Sequence, residues 1–162
     1  MSENLQKIDH SALRVNQAMI ILLTILAFIF DQPWLALLVG LVMGIGTLLK
    51  LPGFGWVYRR LLKPLELVKP EVLWDNPEPH RFAQGLGSAF LLAASLALWL
   101  QASILGWGLV WLVVALAALN LFAGFCMGCA MYYWLARLNM PGFSKAPPAG
   151  TTPGMRSKAR LS

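Results

Sequence analysis

Along the chain, apolar and polar positions fall into long blocks rather than alternating. Residues 18–30 are apolar except for Thr24, and residues 34–49 are apolar again after a short polar turn. Residues 50–81 gather proline, glycine and charge, residues 82–100 return to apolar sequence, and 104–138 form the longest apolar run. About 20 predominantly apolar residues span a hydrocarbon core as a helix. The pattern therefore predicts an all-α polytopic membrane protein with four transmembrane helices, at about residues 12–30, 33–49, 82–101 and 104–136. The first of these has no small-residue cleavage site after its apolar core, so it reads as an uncleaved span.

The polar segments frame one membrane domain over 12–138. Residues 1–11 read as a polar N-terminus, 50–81 as a loop and 139–162 as a basic tail with too few apolar groups to pack, hence disordered. Within 56–68, Arg59, Arg60 and Lys63 are mixed with Leu61, Leu62, Leu65 and Leu67. That mixture suits a short interfacial helix between the second and third spans, broken at Pro64, and equally a solvated basic loop. Pro33 is placed to start the second span. In it, Gly40 and Gly44 are spaced for close contact with a neighbouring helix, as are Gly124 and Gly128 in the fourth.

Composition agrees with the pattern. The chain has 162 residues, 58% of them hydrophobic and only 12% charged, with a mean hydropathy of +0.64, which excludes an ordinary soluble domain. A net charge of +6 would suggest nucleic acid in a soluble protein, but here the basic residues lie outside the apolar spans, and no nucleic-acid partner is expected. All 13 Lys and Arg fall in the termini and the central loop or at their borders, none in the turns near Asp31 and Ser103. The positive-inside rule then places both termini and the loop 50–81 in the cytoplasm. Trp34, Trp99, Trp107 and Trp111 mark the outer boundary of the bilayer, and Trp56, Trp74 and Trp134 the inner one. No ionisable residue lies deep in a span, which argues against an ion-coupled transporter.

Candidate chemistry centres on Cys126 and Cys129, the two cysteines of the chain, near the cytoplasmic end of the fourth span. On a continuous helix they share a face with Phe122 and Tyr133, while Asn120 lies off it and is given no catalytic role. If the helix breaks at Gly124 and restarts, Cys126 stands at a new N-terminus, where amides and dipole favour a thiolate; if the helix runs through, that help is absent. Packing cysteines between small residues are the bland alternative. Thiols facing the cytoplasm are kept reduced, which favours a cycling dithiol over a static disulfide. His10 and His80 are not spaced as a ligand pair, each sits in a polar setting, and no metal site is expected. Asp75, Glu78, His80 and Arg81 read as a capped, solvated helix start.

Three stretches carry a resemblance: Arg14-Val15-Asn16-Gln17, Pro79-His80-Arg81-Phe82-Ala83-Gln84-Gly85, and Gly124-Phe125-Cys126-Met127-Gly128-Cys129 followed by Tyr132. Together they resemble the bacterial membrane proteins of the domain of unknown function 4395 family, over about residues 9–138. His80 departs from that pattern, in which other residues often precede Arg-Phe-Ala-Gln. Some members are encoded near or fused to thioredoxin-like or sulfurtransferase proteins, and the resemblance thereby implies thiol or sulfur chemistry in a bacterial inner membrane.

The expected function is thiol–disulfide or sulfane-sulfur handling with such a cytoplasmic partner, Cys126 attacking and Cys129 resolving. A quinone is a candidate membrane-side acceptor, though no residue identifies its site. The alternatives are a non-enzymatic subunit that docks a soluble partner through Arg59, Arg60 and Lys63, and a conduit for a small sulfur species, which would have to form a homo-oligomer.

Overall fold

A computed structural model describes residues 6–64, 70–147 and 150–156. A short strand β1 (Gln6–Asp9) leads into α1 (His10–Ile29), followed by α2 (Pro33–Leu48), one turn α3 (Gly55–Val57) and a π-helical turn over Tyr58–Leu62. Strand β2 (Val72–Asp75) then leads into α4 (Pro77–Trp99), α5 (Ser103–Ala123) and α6 (Met127–Arg137). The protein is mostly helical, and among the described residues one two-stranded ribbon lies at one end of the helices.

Local chemistry sets the helix ends. The Asp9 side chain accepts from the Ser11 amide at 3.0 Å and caps α1, and Pro33 opens α2, where its missing N–H costs nothing. Helices α1, α2, α4 and α6 all stop in the same way. Asp31, Lys50, Gln101 and Asn139 take positive φ, and the next amide reaches back to the carbonyl of Ala27, Gly46, Ala97 or Leu135 at 2.8–3.2 Å.

Among the described residues, three helices are long and apolar enough to cross a membrane: α1, α4 and α5. Helix α2, with 16 residues, is a shorter apolar helix. Large apolar side chains face outward, with Ile104 94%, Phe122 83% and Leu48 82% exposed. Such faces call for a lipid environment and make this a multi-pass membrane protein. The expected fourth span divides: the run over 104–136 is two helices, α5 and α6, joined by residues 124–126.

Inside the bundle, Ile20, Ala27, Val39, Met43, Leu91 and Val113 belong to one buried core. Helix α2 lies tightly on α4. A Cβ placed on Gly40 would come within 3.1 Å of Leu91 Cβ, and one on Gly44 within 2.8 Å of Ser88 Oγ, so both glycines make the helix contact that their spacing predicts. Ser88 Oγ donates to the Gly40 carbonyl at 2.7 Å, and Gln84 Nε2 to the Met43 carbonyl at 2.9 Å. These hydrogen bonds join helices; those of Thr24 and Ser95 return to their own helix.

Strands β1 and β2 pair antiparallel, from Gln6 opposite Asp75 to Asp9 opposite Val72. The ribbon joins the start of α1 to the start of α4. Nearby, Arg59, Arg60 and Lys63 are exposed while Tyr58 is buried. Leu65 and Leu67 lie outside the described residues.

Candidate functional site

The site is built where three helices meet at one end of the bundle. The β1–β2 ribbon brings His10, the first residue of α1, beside Asp75 and His80 at the start of α4. The end of α5 then delivers the two cysteines. Gly124 closes α5 with φ +66°, a left-handed conformation that glycine adopts without Cβ strain, and the chain turns. Phe125 and Cys126 are extended, and helix α6 restarts at Met127.

Cys126 is thus the N-cap of α6. Its Sγ accepts from the Cys129 amide at 3.2 Å, the role an N-cap oxygen ordinarily fills toward the third helical residue. The Cα atoms are 5.2 Å apart and the sulfurs are bonded as a disulfide. Both residues are buried. Helix α6 is seated by Gly128, where an added Cβ would lie 2.6 Å from Ala83 Cβ of α4.

Cys129 Sγ lies 3.6 Å from His80 Nδ1. The other ring nitrogen, Nε2, is 3.0 Å from Asp75 Oδ2. His10 Nε2 approaches the same oxygen at 3.3 Å, too far off line to count as a hydrogen bond. The second oxygen, Oδ1, accepts from the Asn76 amide at 2.8 Å. A sulfur–imidazole–carboxylate row results, with His10 edge-on to His80 at 5.7 Å between ring centroids.

Burial pushes the Asp75 carboxyl up, but the two imidazoles and the Asn76 amide outweigh it and hold the group well below the usual carboxylate range. An ionised Asp75 can only accept. In neutral His80 the proton therefore sits on Nε2, and Nδ1 turns a lone pair toward Cys129. These groups line a small cavity of about 40 Å³, which Asn120 and Tyr133 also border. A second cavity of about 100 Å³, mostly apolar, runs behind Cys126 and His80 between Ile20, Phe90 and Val113.

The family model for the domain of unknown function DUF4395 matches residues 8–137, a span that contains His10, Asp75, His80 and both cysteines. The chain belongs to the DUF4395 family. Comparison with curated proteins and with solved structures finds no match.

In this DUF4395 chain the cysteine pair and its helix N-terminus lie where the break at Gly124 would put them. Other expectations are revised. Gly124 ends a helix rather than packing one, with only Arg156 Cβ, at 3.7 Å, near a Cβ added there. The break separates Phe122, 83% exposed, from Tyr133, 6% exposed, so they share no face. Asn120 borders the same small cavity as the cysteines, although helical spacing had set it aside. His10 and His80, remote in sequence, converge on one carboxylate.

Part of the tail is packed as well. Over residues 150–156 the chain returns to the site: the Cys126 amide donates to the Gly154 carbonyl at 2.8 Å and the Arg156 amide to the Gly124 carbonyl at 3.1 Å. Phe125 and Met155 form an antiparallel bridge. Arg156 also pairs with Glu71, which Arg14 approaches at 3.8 Å. Residues 157–162 lie outside the described residues.

Proposed function

We propose that this protein is a thiol–disulfide exchange component of a bacterial inner membrane, serving a cytoplasmic thioredoxin-like or sulfurtransferase partner. One observation carries the reading. Cys126 caps a helix N-terminus while Cys129 faces His80 Nδ1 at 3.6 Å, so the two sulfurs have different environments suited to different steps.

A thiolate of the partner attacks Cys126 Sγ, the Cys126–Cys129 bond breaks, and Cys129 leaves with the electron pair and a proton from the His80 imidazolium. The partner's second thiolate then attacks its own sulfur in the mixed disulfide. Cys126 leaves as a thiolate, stabilised by the Cys129 amide and the helix dipole. The partner has lost two electrons and, in forming its two thiolates, two protons, and holds a disulfide; this protein holds the Cys129 thiol and the Cys126 thiolate, one of those protons restoring His80 and the other passing to water. The reverse sequence reduces the partner. Asp75, at 3.0 Å from Nε2, keeps the His80 ring oriented.

Four crossings fit this scheme. Helices α1 and α4 begin beside each other at the His10–Asp75–His80 contacts, which supports a return between them through α2. Its 16 residues cover about 24 Å, short of a core about 30 Å thick. The site then lies at the end that carries the basic residues, where the interfacial turn around Arg59 and Arg60 also sits, and both termini face the cytoplasm.

Mass-tagged maleimide applied to membranes of known orientation tests the proposal. The expected result is a Cys126–Cys129 pair that opens with a reduced thioredoxin, closes with an oxidised one, and labels from the cytoplasmic side. Thiols that never exchange, or a Cys126→Ser, Cys129→Ser double variant that sustains thiol and sulfur homeostasis as well as the parent, would refute it and favour the docking-subunit reading.

A further inference from the structure

The donor atoms around the disulfide also satisfy a requirement that thiol exchange does not impose. One ligand atom each from His80, Cys126 and Cys129 lies within 4.8 Å of the others. An ion held at about 2.3 Å from sulfur and about 2.1 Å from nitrogen, with tetrahedral angles, sets those two atoms about 3.6 Å apart. Cys129 Sγ and His80 Nδ1 are already at 3.6 Å. The sulfur–sulfur separation has to open, and reduction opens it; Cys126 Sγ, within 4.8 Å of the imidazole nitrogen, then settles to the same bonding distance.

The surroundings are those of a metal-binding imidazole. His80 presents Nδ1 to the sulfurs while Nε2 is held by Asp75 Oδ2 at 3.0 Å, the carboxylate–histidine arrangement that fixes the ring and strengthens its lone pair. All three donors border the cavity of about 40 Å³, room for an ion with one water in its remaining position. Two thiolates balance a divalent charge. Beside them the His10 ring is almost wholly buried, with Nε2 making no hydrogen bond among the described residues.

The geometry points to a redox-gated metal site: once the disulfide is reduced, Cys126, Cys129 and His80 bind one thiophilic divalent ion of the zinc type, with Asp75 positioning His80 and the fourth position open to the cavity. The inference rests on the disulfide being reducible, as the proposed exchange requires. Reduction breaks the S–S bond with two electrons and two protons from a dithiol, which becomes a disulfide. The ion then replaces the two thiol protons, which pass to water. Disulfide and bound ion exclude one another because they use the same sulfurs.

The test uses the full chain in detergent or nanodiscs, reduced with a phosphine that is then removed without air. Free thiols are counted first; the sample is then titrated with Zn2+ against a chromophoric chelator, and separately with Co2+ to read thiolate-to-cobalt charge transfer. The inference expects one ion per reduced chain, none per oxidised chain, and slower maleimide labelling of the parent when Zn2+ is present. Asp75→Asn, which keeps all three ligands, should weaken binding about 10- to 100-fold, and His80→Asn should weaken it further. Two titratable thiols with no charge-transfer band, or equal affinity in parent and His80→Asn, would overturn the metal site and leave the exchange reading standing. A thiol count that stays at zero after reduction would overturn both.

Discussion

Helix α4 is packed against a small-residue helix on two sides, and the two contacts do different things. Toward α2 it meets Gly40 and Gly44, with Ser88 and Gln84 bonding across; that seam is long, continuous and chemically silent. Toward α6 it meets Gly128 through Ala83, and one turn earlier on α4 His80 reaches Cys129. Both glycine pairs, 40/44 and 124/128, have the same spacing. What separates them is the backbone at the first glycine of each pair: Gly40 is helical, whereas Gly124 is left-handed and ends its helix. Small-residue spacing therefore marks close approach, and the local conformation decides whether the result is a seam or a site.

If the α4–α6 contact is the working one, the largest effect should come from His80→Asn, which removes the proton carrier from Cys129. Exchange with reduced thioredoxin is expected to slow about 100-fold, the low end of general acid–base contributions, with stopped-flow fluorescence of the partner as the readout. Gly128→Ala comes next. The new Cβ would be 2.6 Å from Ala83 Cβ and 2.7 Å from its Cα, so α6 must shift. A loss of about 1–3 kcal/mol in stability is expected, together with slower exchange, measured by thermal unfolding and the same kinetic assay. Gly40→Ala sharpens the contrast from the other side. At 3.1 Å from Leu91 Cβ it should cost about 1 kcal/mol and leave the exchange rate within twofold of the parent.

The last prediction, read in acid rather than at neutral pH, concerns Asp75. Its folded-state pKa lies below the ordinary value of about 4, so its stabilising contribution is fully present above that pH and is lost as pH falls through the lower, folded value. Melting temperatures taken through acid should fall more steeply in the parent than in Asp75→Asn. Parallel curves would remove Asp75 from the account.

Much of the frame could be read from the chain because burial in lipid demands long apolar runs and leaves few alternatives. The three long apolar helices α1, α4 and α5, the polar turns at Asp31 and Gln101, the Gly40/Gly44 contact and the cysteine pair all follow from local pattern. The imidazole–carboxylate half of the site does not. It depends on the pairing of Gln6–Asp9 with Val72–Asp75, two four-residue strands far apart in sequence, each inside a segment that reads as polar tail or proline-rich loop. A faint signal existed in Val72-Leu73-Trp74-Asp75, where the β-favouring Val72 and Trp74 precede a carboxylate, with alternate side chains buried. Asn120 was hidden for a different reason: it stays on α5 while the turn at Gly124 re-aims the cysteines, and periodicity extrapolated across that break points the wrong way.

The returning segment 150–156 gives the cysteines a resident competitor. Gly154 occupies the Cys126 amide and Met155 bridges Phe125, the backbone positions beside Cys126 Sγ that a docking chain would need. Because this occupant is tethered, it acts at a high effective concentration, and any visitor is discounted by the fraction of time the tether is away. If the proposed exchange holds, the affinity of this site for its partner is written partly in the strength of its hold on its own tail.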